Sequence, residues 1–255
     1  MIQFFVKDYM GAPFQFFGIA HIVALLIVIL LNVLLLRLFK NSQEKTKRTI
    51  AYLLATILWA NEIGWHVWNY FTGQWTIQTM LPLHLCSLLV WTGALMLVTK
   101  NYAIYEFCYF LGIGGALQAL LTPDLGIYGY PHYRFFQTFI SHGLIITAAI
   151  YMTLVEGFRP TWKSILRVAI WMNIYLGVVF VINMLIGSNY LFIAHKPPTT
   201  SLLDILPPWP WYILWMEVIG LVTCLVLFFP IVVSNWRSRS IEKRNNAVRL
   251  DQVTK

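Results

Sequence analysis

Apolar runs of roughly 20 residues recur along the whole chain, the length a helix needs to cross the hydrocarbon of a bilayer. Short polar stretches separate them. The pattern predicts seven helical spans, at residues 14–37, 49–71, 79–99, 102–122, 135–156, 164–187 and 210–234. The expected fold is therefore all-α, a polytopic membrane protein. One seven-helix transmembrane domain covers 1–234, and 235–255 forms a short, partly disordered basic tail near the inner leaflet. The first run is long enough to span and no small-residue cleavage pattern follows it, so no cleavable signal peptide is expected. No internal repeat and no soluble domain interrupts the series.

The polar connections orient the bundle. Arg37, Lys40, Lys45, Lys47 and Arg48 lie between spans one and two, and Lys100 between three and four. Arg159, Lys163 and Arg167 follow span five, and Arg237, Arg239, Lys243, Arg244, Arg249 and Lys255 follow span seven. The opposite side holds only Lys7, Arg134 and Lys196. Fifteen basic residues against three, alternating through every loop, predict an N-terminus outside and a cytoplasmic C-terminus. Composition agrees: 59% of the residues are hydrophobic, 11% are charged, and the mean hydropathy is +0.68. The net charge of +8 sits where orientation signals and anionic-lipid contacts belong, which argues against nucleic acid as a partner. Cys86, Cys108 and Cys224 all fall inside apolar runs, so no disulfide framework is expected.

Polar residues inside the spans carry the functional signal, because an ionisable group at membrane depth is costly and normally faces the bundle interior. At about 1.5 Å per residue, His21 lies about 10 Å below the outer end of its span. Glu62 and His66 fall in the outer half of span two, and His84 and Cys86 near the outer end of span three. His142, Asn183 and Glu217 lie one or two turns into spans five, six and seven. Six of the seven spans thus send a polar group to one outer-leaflet layer, which implies a shared cavity. Glu106 and Glu156 lie near inner helix ends, where they are expected to reach the headgroups.

Glu62 and His66 are four residues apart and share a helix face. A carboxylate beside an imidazole fixes its tautomer, in catalysis as in metal binding. His84 and Cys86 stand roughly 200° apart on a regular helix, so either one of them alone faces the cavity fully or the helix is irregular there. Ser141-His142-Gly143 places an imidazole beside a residue that permits close helix approach. Gly112, Gly114 and Gly115 suit helix packing; no strand precedes them, so a phosphate loop is excluded.

Leu81-Pro82-Leu83-His84-Leu85-Cys86, Thr122-Pro123-Asp124, Phe139-Ile140-Ser141-His142-Gly143, Ser188-Asn189-Tyr190, Lys196-Pro197 and Pro208-Trp209-Pro210-Trp211-Tyr212 occur in this order. As a set, the motifs resemble those of the YwaF-type bacterial integral membrane proteins, related to a vertebrate transmembrane acyltransferase that remodels ether phospholipids. The resemblance implies seven spans, a bacterial cytoplasmic membrane, membrane lipid as partner, and a cysteine nucleophile with a histidine partner, matched here to Cys86.

Three functions are weighed. The leading one is a lipid-modifying enzyme, an acyltransferase or acyl hydrolase. There Cys86 takes the acyl group, His142 or His84 is the base, and Glu62 with His66 orients it. His21, Asn183, Asn189, Tyr190, Lys196 and Glu217 are its expected substrate-binding residues, and no cofactor is expected. The second is a metal-dependent intramembrane hydrolase with Zn²⁺ on Glu62, His66, His84 and His142. The third is a transporter or binding protein for a polar solute, weakened by the lack of an inverted repeat.

Overall fold

The computed structural model describes residues 2–197 and 202–253, with side chains as far as Arg237. Pro198, the side chains of Arg239, Lys243, Arg244 and Arg249, and all of Lys255 lie outside the described residues. Among the described residues seven long helices follow one another, besides three short 3-10 turns: α1 (Ile19–Phe39), α2 (Glu44–Phe71), α3 (Leu85–Thr99), α4 (Tyr102–Leu121), α5 (Tyr133–Leu154), α6 (Trp162–Ile186) and α7 (Trp211–Val253). No strand occurs among the described residues. α1, α4, α5, α6 and the Trp211–Arg237 part of α7 are long and apolar enough to cross a membrane. α2 is 28 residues long but more polar, and α3 has only 15 residues. The backbone of α7 continues through the expected tail as helix, where a partly disordered segment was expected.

α5 is the centre of the bundle. Its Leu144, Ile145, Tyr151 and Met152 are buried against α2, α3 and α4, whose Leu58, Leu89, Leu97 and Phe110 are equally enclosed. α1, α6 and α7 turn most of their surface outward. In lipid, close packing rather than water exclusion holds such helices together, and small residues permit it. An added Cβ on Gly143 would sit 2.8 Å from Val28 of α1, one on Gly114 2.7 Å from Thr223 of α7, and one on Gly112 3.2 Å from Ile145. The glycines of α4 thus serve packing, as their sequence suggests. Between its two α-helical parts, α4 makes a π-helical turn over Cys108–Gly112.

Below, the lower end is the one holding the α1–α2, α3–α4 and α5–α6 connections; the upper end holds the others. At the lower end the acidic residues turn inward instead of reaching headgroups. Lys100 Nζ binds Glu156 at 2.6 Å. Glu106 is buried and takes Arg167 and Ser164 as partners, with one Arg167 contact of 2.8 Å. These pairs fasten α4 to α6 and the α3–α4 connection to the end of α5. A carboxylate in this interior needs its cation, because a buried charge left alone is expensive.

α4 and α7 meet in their lower halves. Tyr109 donates to the Leu227 carbonyl at 2.9 Å, and Phe110 lies 6.5 Å from Phe228. Above the Gly114–Thr223 contact, Leu117, Gln118 and Leu121 on α4 and Glu217 on α7 are exposed. An added Cβ on Gly220 meets no atom within 4 Å. The upper halves of both helices thus present exposed faces.

Candidate functional site

The stretch before α3 decides where its first residues stand. Helix was expected from residue 79, but α3 begins at Leu85 and His84 is its N-cap, extended at φ −67° and ψ 145°. Pro82 disfavours helix in the residue before it, and two tyrosines hold the nearby backbone. Tyr190, fully buried, donates to the Ile77 carbonyl at 2.7 Å and accepts from the Leu81 amide at 2.8 Å. Tyr175 donates to the Leu83 carbonyl at 2.9 Å. The 200° separation expected of His84 and Cys86 therefore does not apply. Cys86 is the second residue of a helix, near its positive end, where backbone N–H groups lack intrahelical partners.

Tyr190 is itself fixed by Asn183. The Asn183 amide donates to the Tyr190 carbonyl at 2.9 Å, and its oxygen accepts from the Tyr190 amide at 2.9 Å and from Ser188 Oγ at 2.7 Å. These bonds hold Leu191 and Phe192 in the left-handed region, at φ 59° and 54°. Each costs on the order of 1–3 kcal/mol outside glycine. Asn189 serves the same loop, accepting from the amides of Ala194 and His195. Lys196 donates to the Leu206 carbonyl at 2.7 Å. The residues expected on the substrate from this loop are thus bonded within the cap that positions the start of α3.

The site proper forms where α2, α3 and α5 meet. Glu62 of α2 is buried, with Oε1 3.8 Å from His66 Nε2 and no hydrogen-bond partner. Ser87 and Arg134 act on its carboxylate, and Cys86 lies within electrostatic reach of both Glu62 and Arg134. His142 of α5 also feels Arg134. Glu62 and Cys86 thus share the Arg134 charge, with His66 beside Glu62, while His142 stands about two turns further in on the helix that carries Arg134. The centre's cation was not expected. Arg134 stacks on Trp65 with its guanidinium carbon 4.0 Å from the ring, binds the Gln137 side chain, and has Asp124 of the Thr122-Pro123-Asp124 motif within reach. Its signal in the sequence is its place among three basic residues on the sparsely charged side.

Histidine tautomers separate the candidates. His142 Nδ1–H donates to the Thr138 carbonyl at 2.8 Å, which leaves Nε2 as a free lone pair. His66 Nδ1 accepts from the Trp75 indole at 3.0 Å, so its Nε2–H points toward Glu62. His21 spends both nitrogens on the fold, accepting from the Phe17 amide at 3.0 Å and donating to the Leu120 carbonyl at 2.8 Å. The His84 ring packs 5.1 Å from Tyr190 and 5.2 Å from Phe192, with Nδ1 turned to the Leu191 amide at 3.4 Å. Of the two expected bases, only His142 presents a free basic nitrogen.

Two expectations are corrected. Glu217 is not part of the wall: its side chain is exposed on α7. The set of Glu62, His66, His84 and His142 does not converge, because His84 is held in the cap loop. Among the described residues no three His, Cys, Asp or Glu side chains are grouped to hold a metal ion.

A second feature lies across α5 from Arg134. Phe136, Phe139, Ile140 and Gly143 of α5 and Val23, Ile27 and Leu31 of α1 line an apolar groove of about 740 Å³. Its wall on α1 runs from Ile19 to Leu31, about 18 Å at 1.5 Å per residue. One leaflet's hydrocarbon is about 15 Å deep.

A family model, described as the TMEM164 family, matches residues 16–228. The chain belongs to the TMEM164 family. The match begins before α1, ends within the apolar part of α7, and includes every residue of the α2–α3–α5 centre. Several apolar helices and membership of this membrane protein family make the chain a multi-pass membrane protein. No curated protein and no solved structure matches it.

Proposed function

We propose that this chain is an integral-membrane acyl-transfer enzyme with Cys86 as acyl carrier and His142 as general base. The observation that carries the reading is the free Nε2 of His142, locked by the Thr138 carbonyl on α5, the same helix whose Arg134 lies within electrostatic reach of Cys86. His142 takes the Cys86 proton, and the thiolate attacks the carbonyl of a lipid acyl ester. The C–O bond breaks, and the departing alkoxide receives that proton from His142. A second hydroxyl, deprotonated by His142, attacks the thioester and the proton returns to sulfur. With water as the second nucleophile the product is a fatty acid, so the same machinery serves hydrolysis.

Arg134 binds the phosphate of the lipid in this reading. In this reading lipid enters from the side through an opening between the exposed upper halves of α4 and α7, and the groove between α1 and α5 is of a size for an acyl chain. All seven helices span, with the N-terminus outside. α3 begins below the outer surface under its cap loop, which makes up the missing length. The likeness of the motifs to YwaF-type proteins adds a bacterial cytoplasmic membrane.

Purified protein incubated with an alkyne-tagged acyl phospholipid tests this. A hydroxylamine-sensitive label on the wild type, lost in Cys86→Ala and slowed about 10²–10⁴-fold in His142→Gln, is the expected result. A label that persists in Cys86→Ala, or acyl transfer without any label, refutes the covalent route.

A further inference from the structure

The cluster continues inward past Glu62. Trp59 stands one turn below Glu62 on α2, and Trp91 one turn below Ser87 on α3. The helices are antiparallel, so both steps lead the same way, and the rings come together with centroids 6.4 Å apart. Both indole nitrogens are buried and neither has a hydrogen-bond partner. An indole N–H is a donor only, and when buried it normally finds an acceptor. Two orphaned donors side by side, beneath the orphaned Glu62 Oε1, mark a place left for an oxygen atom of something else.

We infer that Trp59 and Trp91 form a subsite that receives an ester carbonyl oxygen of the bound lipid. The chemistry selects a neutral acceptor. Both donors are uncharged, and a phosphate would lie one turn from the Glu62 carboxylate and be repelled. The group suited to an anion, Arg134, is stacked on Trp65, one turn above Glu62. Along α2 the order is therefore cation, carboxylate, donor pair, with Trp65 and Trp59 about 9 Å apart at 1.5 Å per residue. A glycerophospholipid presents its groups in that order from the surface inward: phosphate, glycerol, ester carbonyl. The subsite rests on the reading of the cluster as a lipid site, but not on the covalent step.

Nitrogen-15 indole spectra of Cys86→Ala protein in detergent test it, because that variant cannot form a thioester. The probes are a diacylphosphatidylglycerol and its dialkyl ether analogue, which lacks carbonyl oxygens. Loss of one signal each in Trp59→Phe and Trp91→Phe assigns the two resonances. The diacyl lipid is expected to move both, and the diether to leave them in place. Each Phe variant, which keeps a ring but loses the donor, is expected to bind the diacyl lipid about fivefold more weakly, the worth of one hydrogen bond. Equal shifts with both lipids, or none with either, overturn the subsite even if acyl transfer at Cys86 is demonstrated. If the two indoles discriminate the lipids while no thioester is trapped in wild type, the subsite stands and the covalent reading fails.

Discussion

Replacing Tyr190 with Phe tests whether the loop after α6 positions the start of α3. The ring stays and only the hydroxyl goes, so no cavity of any size opens. Lost with it are a donor to the Ile77 carbonyl at 2.7 Å and an acceptor for the Leu81 amide at 2.8 Å. Each such bond has a net worth of about 1 kcal/mol, and an unsatisfied buried group costs about 1–3 kcal/mol. Ile77 is exposed, so water reaches its carbonyl region, whereas Leu81 is half-buried. The sum is about 2–3 kcal/mol. For a chain of this size each kcal/mol moves the melting temperature by about 2–4 °C, so Tyr190→Phe is expected to melt about 4–12 °C below wild type in detergent. Tyr175→Phe loses a single bond, to the Leu83 carbonyl, and is expected to lose about half as much. Hydrogen exchange should rise over residues 77–87 in the first variant before it rises in α5. The control is Tyr70→Phe, whose side chain is exposed. If Tyr190→Phe melts with that control, the cap loop does not hold α3.

Two further outcomes follow from the packing and the charges. Gly114→Ala is expected to cost about 1–3 kcal/mol, because its Cβ would lie 2.7 Å from Thr223. Gly220→Ala, whose Cβ meets nothing, should be neutral or stabilising by up to about 1 kcal/mol; paired melting curves decide, and equal losses would close the proposed α4–α7 opening. His132, just before α5, accepts the Arg134 amide on Nδ1 and donates from Nε2 to the Val6 carbonyl at 3.0 Å, which suits only the neutral ring. Burial, with the Arg134 charge adding to it, holds its pKa below the ordinary value of 6.5, although the Val6 bond opposes this. The unfolded chain therefore takes up the proton first, and stability present above about pH 6.5 is lost as the pH falls below it. Melting at pH 7.5 and 5.5 should show a smaller loss in His132→Gln than in wild type. An identical loss would assign the pH dependence to other groups.

Hydropathy and the rise of a helix are local properties, and both were legible in the chain. The seven helices fall within a few residues of the expected spans, except where Pro82 and the Tyr175 and Tyr190 hydroxyls delay α3 to Leu85 and where α7 runs on to Val253. Depth along a helix is fixed by counting residues, so Glu62, His66, Cys86 and His142 could be placed in one layer. The direction in which a side chain points within that layer depends on which helix lies beside it, and no single segment encodes that. Glu217 has a suitable depth, yet its side chain is exposed. His21 and His84 are at the right level, but the Phe17 amide and the Leu120 carbonyl claim the nitrogens of the first, and the Tyr190 and Phe192 rings pack the second. Arg134 reads as an orientation charge until α5 turns it toward Glu62. The chain alone determined an all-helical bundle and the positions of polar residues along its helices. Only the packing of α2, α3 and α5 decided which of them meet, because rotation about a helix axis is set by its neighbours.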